Sequence, residues 1–98
     1  MFSIDISQEA EKDLEGLDKQ NREIILKKIW SIRENPIRFL ERLAGFTLWK
    51  LQVGDYRAAM QVDTKSQKLL VIKIGHRKNI YTRLNRLIEK FIYGDTQE

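Results

Sequence analysis

The chain has 98 residues, of which 42% are hydrophobic and 33% are charged, and its formal net charge is +4. This length fits one domain, expected over residues 1–98, and the apolar content is too high and the net charge too low for a disordered chain. The absence of cysteine and the single histidine exclude a disulfide framework and argue against a zinc site, so we expect neither a metal nor a cofactor.

The sequence shows no signal for a membrane or for export. No apolar run approaches the roughly 20 residues of a membrane-spanning helix. The start, Met-Phe-Ser-Ile-Asp, has neither the basic segment nor the apolar segment of a signal peptide. We therefore expect a cytoplasmic protein without membrane association.

Charge is distributed unevenly along the chain. Residues 1–35 contain six basic and eight acidic side chains, whereas residues 46–90 contain ten basic and three acidic ones. A basic half favours an anionic partner, of which nucleic acid is the commonest. A lysine-rich soluble surface explains the charge equally well, so charge alone does not decide.

The first residues predict a strand followed by a short helix. Phe2, Ile4 and Ile6 alternate with polar residues, which is the pattern of a half-buried strand. Ser7 suits the N-cap of a helix, and Gly16 suits its end.

A second helix is expected between Asp18, which begins it, and Pro36, which stops it because the residue before a proline avoids helical geometry. Its apolar stripe should pack on one side of a sheet together with the first helix. The stripe consists of Ile25, Ile29 and Ile32, widened by Leu26 and Trp30.

Three further strands follow an irregular connection over residues 37–46, where a helical turn is expected at 39–43. Residues 49–53, 56–62 and 69–74 alternate at strand spacing and are separated by short turns, the first at Gly54-Asp55. This pattern predicts a three-stranded antiparallel meander. Trp30, Trp49 and Tyr56 are expected in the core.

The end of the sequence predicts a helix over residues 82–93, with an apolar face formed by Leu84, Leu87, Ile88, Phe91 and Ile92. The predicted fold is α+β: an N-terminal strand, a helical hairpin packed on a mainly antiparallel four-stranded sheet, and a C-terminal helix. Two arrangements remain open for the last helix. It packs on its own sheet, or it moves aside and leaves a groove for a partner helix.

Strand alternation predicts a basic surface on the side of the sheet away from the helical hairpin. If Trp49 and Tyr56 face the helices, then Lys50, Arg57 and Lys73 project from the opposite, uncovered side. Like charges on neighbouring strands repel each other. Such a cluster is easier to explain if a polyanion covers it.

The last strand leads into a segment that carries further reactive groups, namely His76, Arg77, Lys78 and Tyr81. Together with the basic surface, these groups suit RNA cleavage by attack of a 2′-hydroxyl on its neighbouring phosphate. That reaction needs a base, an acid and cations that stabilise the charged phosphate, without requiring a metal. Tyr81 alternatively stacks on a base.

These residues resemble the RelE/ParE superfamily of toxin–antitoxin toxins, and most closely its RelE branch. The match also includes the preceding strand and helical hairpin, hence most of the chain, as a single RelE-like toxin domain. The segments that carry the resemblance are Leu48-Trp49-Lys50-Leu51, Gly54-Asp55-Tyr56-Arg57, Val71-Ile72-Lys73-Ile74-Gly75-His76-Arg77 and Tyr81.

The resemblance implies an mRNA interferase, an endoribonuclease that cleaves mRNA at the ribosomal A site, halts translation and is held inactive by a cognate antitoxin in a hetero-oligomer. It implies catalytic roles for Lys50, Arg57, Arg77 and Tyr81, and places His76 where RelE-like proteins often have a basic residue. Gln52 stands where many RelE toxins have a second basic residue. We expect substrate contacts from Gln52, Lys73 and Lys78.

Other interpretations of these residues remain. Arg57 is alternatively an ion-pair partner of Asp55, Lys73 a solvated lysine, His76 a turn-capping residue and Tyr81 an anchor of the last helix. At the level of function, the alternatives are a ParE-like toxin that inhibits DNA gyrase without cutting nucleic acid, and a degenerate member that only binds a partner.

Overall fold

One mixed β-sheet with helices on both faces organises the chain, and the predicted α+β fold is confirmed. The computed structural model describes the backbone of residues 1–43 and 45–94, and side chains up to residue 90. The elements are, in chain order, β1 (Ser3–Ile6), α1 (Gln8–Glu15), α2 (Lys19–Ser31), a 3-10 turn (Pro36–Arg38), β2 (Glu41–Arg42), β3 (Trp49–Val53), β4 (Tyr56–Asp63), β5 (Lys68–His76) and α3 (Ile80–Gly94).

The sheet has five strands in the order β1-β5-β4-β3-β2, one more than predicted. β1 runs parallel to β5, and the other neighbours are antiparallel. The additional strand is β2, which lies where a helical turn was expected at residues 39–43, and the 3-10 turn comes earlier, at Pro36–Arg38. Two residues are too few to show the alternation by which a strand is recognised in a sequence.

Both helices of the hairpin begin at the predicted caps. The Ser7 hydroxyl accepts a hydrogen bond from the Ala10 N–H at 3.1 Å, and the Asp18 carboxylate accepts one from the Asn21 N–H at 3.3 Å. The end of α2 differs from the prediction, because the helix stops at Ser31 and Pro36 instead begins the 3-10 turn.

The main core lies between the sheet and the helices α1 and α2, and we call this side of the sheet the helix face. Both helices bury their apolar stripes there, as predicted. The buried residues of this core are Ala10, Leu14, Ile25, Ile29, Ile32, Leu40, Leu51, Val53, Ala58, Met60, Leu69, Val71 and Ile74.

Trp30 lies outside this core, contrary to the prediction. It is 49% exposed, and the Arg33 guanidinium stacks over its ring at 4.3 Å. Ile25 and Ile29 already fill the contact between α2 and the sheet, so the edge of the apolar stripe stays in solvent. Trp49 and Tyr56 are half-buried and pack against the same core.

α3 packs on the opposite side of the sheet, which we call the second face. A smaller core forms there from Leu43, Leu48, Ala59, Ile80 and Leu84. Of the two arrangements left open by the sequence, α3 therefore adopts the one in which it covers its own sheet, while the side chains of Phe91 and Ile92 lie outside the described residues. None of the described helices is long and apolar enough to cross a membrane.

A bulge interrupts the alternation of β5. The partners of β5 along β4 step from Ala59–Lys73 to Met60–Val71, so Ile72 is left between two paired positions. As a result, Val71 and Ile74 both face the main core, whereas Ile72 packs on the second face.

Candidate functional site

Three polar side chains lie together on the second face, near the turn between β3 and β4. Because Leu51 and Val53 are buried on the helix face, Lys50 and Gln52 project from the other side of β3. Arg57 on β4 lies directly opposite Gln52. Lys50 is the diagonal neighbour of Arg57, at about 7–8 Å between α-carbons. We call Lys50, Gln52 and Arg57 the open corner.

The turn between β3 and β4 fixes the register that brings these residues together. Only Gly54 and Asp55 separate the paired residues Val53 and Tyr56. Gly54 has a φ of +59°, a backbone conformation that glycine adopts without steric cost. The short loop leaves no freedom to shift the strands, so Arg57 has to face Gln52.

The guanidinium of Arg57 is anchored by backbone carbonyls. Its Nη1 donates to the carbonyl oxygens of Gly54 at 2.9 Å and of Tyr56 at 2.8 Å. Within the described part of the chain, Nη2 and Nε donate to no protein group. An arginine has five N–H donors, so this side chain is oriented by the protein and retains donors for an anion.

Lys50 makes only a loose ion pair. Its Nζ lies 3.9 Å from a Glu41 carboxylate oxygen, and the two side chains are 26% and 74% exposed. This distance exceeds that of a hydrogen bond. An exposed pair of this kind contributes little to stability, at most about 1 kcal/mol, so the ammonium is available to a stronger anion.

Arg77 and Tyr81 lie beyond the end of β5. The backbone N–H of Arg77 donates to the Asp55 carbonyl at 2.8 Å, and its Nε lies 3.8 Å from the Asp55 carboxylate. Asp55 thus pairs with Arg77 and not with Arg57. Tyr81, in the first turn of α3, is 39% exposed, and its ring centroid lies 6.2 Å from that of Phe46.

The prediction that Lys73 lies on an uncovered surface is wrong. Its ammonium is 3.1 Å from Asp13 and 3.6 Å from Glu9, both on α1, and the lysine side chain is only 13% exposed. β1 pairs with β5 only as far as Val71, so α1 occupies the edge beyond that point. The acidic residues of α1 therefore draw Lys73 into an internal ion-pair network.

His76 faces away from the open corner, which corrects its expected place beside the catalytic cations. It lies opposite Tyr56 across the strands, with ring centroids 5.9 Å apart, on the helix face. Its Nδ1 accepts a hydrogen bond from the Lys78 N–H at 3.2 Å, so it caps the turn after β5. Lys78 itself lies exposed on that turn.

The open corner presents two cations and several hydrogen-bond donors on the second face, where Lys50 and Arg57 are half-buried and Gln52 is exposed. An oriented guanidinium and a nearby ammonium are the groups that proteins use to bind a phosphodiester. Among the described residues, no group of three or more histidine, cysteine, aspartate or glutamate side chains has the arrangement of a metal site.

The sequence itself matches a known family over most of its length. A family model described as the ParE toxin of the type II toxin–antitoxin system parDE matches residues 4–81, which include the open corner, Arg77 and Tyr81. The chain belongs to this toxin family. It is a toxin of a type II toxin–antitoxin system, within the RelE/ParE superfamily. No curated protein matches it at a significant level.

Solved structures of RelE toxins share the fold of this toxin. The isolated E. coli RelE toxin is 26% identical, with a TM-score of 0.66, over 90% of this chain and 99% of that one. RelE in the intact E. coli RelBE complex is 25% identical, with a TM-score of 0.66, over 78% and 96% of the two chains. A chain of the RelBE2 complex from Mycobacterium tuberculosis reaches a TM-score of 0.70 at 15% identity, over 76% and 96%.

Two residues on the second face of the toxin were not predicted from the sequence. Phe46 lies against Tyr81, and the Arg83 side chain lies across Gly75, the partner of Arg57 on β5. Strand alternation says nothing about either residue, because Arg83 is on α3 and Phe46 is in a loop. The signal that points to Arg83 is its position between Ile80 and Leu84, the two residues by which α3 docks on the sheet.

Two carboxyl groups of the toxin have perturbed acidity, and both lie away from the open corner. The side-chain hydrogen bond from Asn21, supported by the Asn21 backbone N–H, lowers the pKa of Asp18 below its ordinary value. A hydrogen bond from Ser66 likewise lowers the pKa of Asp63 in the turn between β4 and β5. These hydrogen bonds stabilise the start of α2 and the turn between β4 and β5.

Proposed function

We propose that the toxin is an endoribonuclease that cleaves mRNA in the ribosomal A site and thereby halts translation. The observation that carries the proposal is the open corner, where the half-buried Lys50 and Arg57 share the second face and Arg57 is oriented by two carbonyls. The 25–26% identity to E. coli RelE over most of both chains supports the same activity class. Because the substrate is ribosome-bound mRNA, the protein acts in the cytoplasm.

The proposed reaction is internal transesterification. The 2′-oxygen of one nucleotide attacks the adjacent phosphorus and loses its proton, while the bond from phosphorus to the 5′-oxygen breaks and that oxygen takes up a proton. The products are a 2′,3′-cyclic phosphate and a 5′-hydroxyl. No other reactant is consumed, so the protein has to supply only proton transfer and stabilisation of the charged phosphate.

Each residue of the site has a role in this reaction. Arg57 donates from Nη2 and Nε to the phosphate oxygens, where negative charge accumulates in the transition state. Because His76 lies on the helix face, Lys50 acts on the 2′-hydroxyl, where its ammonium stabilises the negative charge that develops on the oxygen as the proton leaves. Arg77 binds the phosphate near the leaving oxygen, and Tyr81, supported by Phe46, stacks on a base. The ribosome holds the RNA in place, which explains how so few groups suffice.

A cognate antitoxin is the proposed regulatory partner, because relatives of the same fold have been crystallised with their antitoxins. On the second face, an apolar groove of about 440 Å³ lies between α3 and the loop before β3. An amphipathic helix of the antitoxin fits such a groove, which lies on the same face of the sheet as the open corner. The groove is lined by Gly45, Phe46, Thr47, Leu48, Gln61, Ile72, Leu84, Leu87 and Ile88.

The nature of the RNA products tests this proposal. Purified toxin is added to ribosomes stalled on an mRNA with a defined A-site codon, and the products are compared with those from the same mRNA carrying 2′-deoxynucleotides in that codon. We expect cuts in the A-site codon that leave 2′,3′-cyclic phosphates, and none in the deoxy codon. Intact mRNA throughout, or equal cutting of the deoxy codon, would reject the nuclease.

Inhibition of DNA gyrase is the second candidate function, and two observations favour it. The matching family model is that of ParE toxins, and Gln52 occupies a position of the open corner where a second cation would strengthen a nuclease. A supercoiling assay with purified gyrase distinguishes the two candidates. Blocked supercoiling together with intact mRNA would assign the gyrase function.

A further inference from the structure

Arg83 lies across the backbone of β5 next to the open corner. A β-carbon placed on Gly75 would be 3.3 Å from Cδ of Arg83 and 3.9 Å from its Nε. The absence of a side chain at Gly75 therefore makes room for Arg83 on the sheet. Gly75 is the direct cross-strand partner of Arg57, so the Arg83 side chain crosses β5 beside the position opposite Arg57, while its Nη1 lies toward Asp13 of α1.

The geometry limits the separation of these two cations. Directly opposed β-carbons of an antiparallel pair lie about 4.5–5.5 Å apart. Adding the 3.9 Å from the Gly75 β-carbon position to Nε places Nε of Arg83 at most about 8–9 Å from the β-carbon of Arg57. Both side chains are long enough for their guanidinium groups to reach one phosphate between them.

Arg83 is held only loosely by its protein partner. Its Nη1 lies 3.7 Å from an Asp13 oxygen, beyond hydrogen-bond distance, and the arginine side chain is 47% exposed. Asp13 is only 10% exposed and has two closer partners, the Ile74 N–H at 2.9 Å and the Lys73 ammonium at 3.1 Å. When Arg83 moves away, Asp13 therefore keeps its two closer partners. Arg83 can exchange this contact for a phosphate without leaving the Asp13 carboxylate unpaired.

We infer that Arg83 is a further phosphate-binding residue, which shares a phosphate of the RNA with Arg57 across Gly75. This inference rests on the proposed function and adds a residue that strand alternation does not reveal. In the free toxin Arg83 remains near Asp13, and in the complex it turns toward the RNA backbone. Two arginines on one phosphate bind it more tightly and orient it better than one does.

Arg86 provides a matched control on the same helix. It lies one turn further along α3 and lines the same shallow groove as Arg83, with Glu9, Lys73, Leu87 and Lys90. It does not contact Gly75. Replacing either arginine by glutamine removes one charge from α3, so a difference between the two variants reports position and not net charge.

The first test is a direct measurement of binding by NMR. The probe is a hexanucleotide of 2′-O-methyl RNA, which lacks the attacking hydroxyl, and the signals are the side-chain Nε–Hε resonances of the arginines at low salt. We expect saturable shifts of Arg57 and Arg83 with one common dissociation constant, and no comparable shift of Arg86. A shift of Arg57 without Arg83, or no shift of either, would overturn the inference.

The second test uses the single-turnover rate of mRNA cleavage on ribosomes. We expect Arg83→Gln to lower the rate about tenfold or more, Arg83→Lys to recover part of the loss, and Arg86→Gln to stay within about twofold of the wild type. Equal rates for Arg83→Gln and Arg86→Gln would contradict the inference while leaving the nuclease proposal intact. Failure of the wild-type toxin to cut would reject the nuclease alone, since the NMR titration still decides whether Arg83 binds RNA.

Discussion

Two lysines flank Ala59 on the same face of the sheet, yet their surroundings differ. Lys50 on β3 and Lys73 on β5 are both direct cross-strand partners of Ala59. Lys73 is 13% exposed and lies 3.1 Å from Asp13, whereas Lys50 is 26% exposed and reaches only Glu41, at 3.9 Å. Lys73 and Lys50 thus occupy the same row of the sheet, but Lys73 is held in a shielded ion pair, whereas Lys50 is available to a partner.

The neighbouring elements explain this difference. Beyond Val71, the edge of β5 is covered by α1, whose Asp13 also accepts the otherwise unpaired Ile74 N–H. The neighbour of β3 is the two-residue strand β2, whose Glu41 is 74% exposed. Shielded pairs hold their partners in place, whereas exposed pairs contribute at most about 1 kcal/mol. The location of the acidic residues, more than that of the basic ones, therefore defines the candidate site.

The largest expected effect is the loss of activity on replacing Arg57. Arg57→Ala removes the oriented donors of the open corner, so we expect mRNA cleavage on ribosomes to fall about 100-fold or more. The free energy of unfolding should change by no more than about 1 kcal/mol, because the substitution removes only hydrogen bonds at the protein surface. Arg38→Ala, which replaces an exposed arginine, serves as the control. Cleavage by Arg57→Ala at the wild-type rate would show that Arg57 is not part of the site.

At the other edge of the sheet, the expected effect is on stability. Asp13→Ala leaves the Ile74 N–H and the Lys73 ammonium without their shared acceptor, so we expect the free energy of unfolding to fall by about 2–3 kcal/mol. Urea denaturation measures this change. Glu11→Ala, an exposed position on the same helix, should stay within about 0.5 kcal/mol of the wild type. An equally small change for Asp13→Ala would show that this network is not structural.

The smallest expected effect concerns the start of α2, far from both lysines. Because its folded pKa is lowered from 3.8, the Asp18 carboxylate stabilises the fold above that value, and this contribution disappears as the pH falls through the folded pKa. Asparagine also caps helices but does not titrate. Asp18→Asn should therefore lose less stability than the wild type between neutral pH and about pH 3. Parallel pH profiles for the two proteins would contradict this interpretation.

Strand alternation predicted the open corner correctly for a physical reason. The two-residue loop at Gly54-Asp55 fixes the register of β3 and β4, so the spacing of Lys50 and Arg57 in the sequence determines their shared face. The helix caps Ser7 and Asp18 were equally predictable, because capping depends on residues close in sequence.

Most of the remaining features depend on contacts between residues distant in sequence, and the place of His76 is the exception. Lys73 is drawn to the edge by α1, and the bulge at Ile72 changes the alternation of β5. His76 still belongs to β5, so alternation from Ile74 places it on the helix face. Arg83 lies across Gly75, the cross-strand partner of Arg57, only because α3 docks on the sheet there, which no local pattern encodes.

The most direct test of the central claim compares Lys50→Met with Lys73→Met, the same substitution on either side of Ala59. Single-turnover cleavage of A-site mRNA and thermal unfolding are measured for both variants. We predict that Lys50→Met lowers the cleavage rate by at least about tenfold without lowering the melting temperature, and that Lys73→Met lowers the melting temperature while cleaving within about twofold of the wild-type rate. Equal losses of activity, or a greater loss for Lys73→Met, would contradict the account.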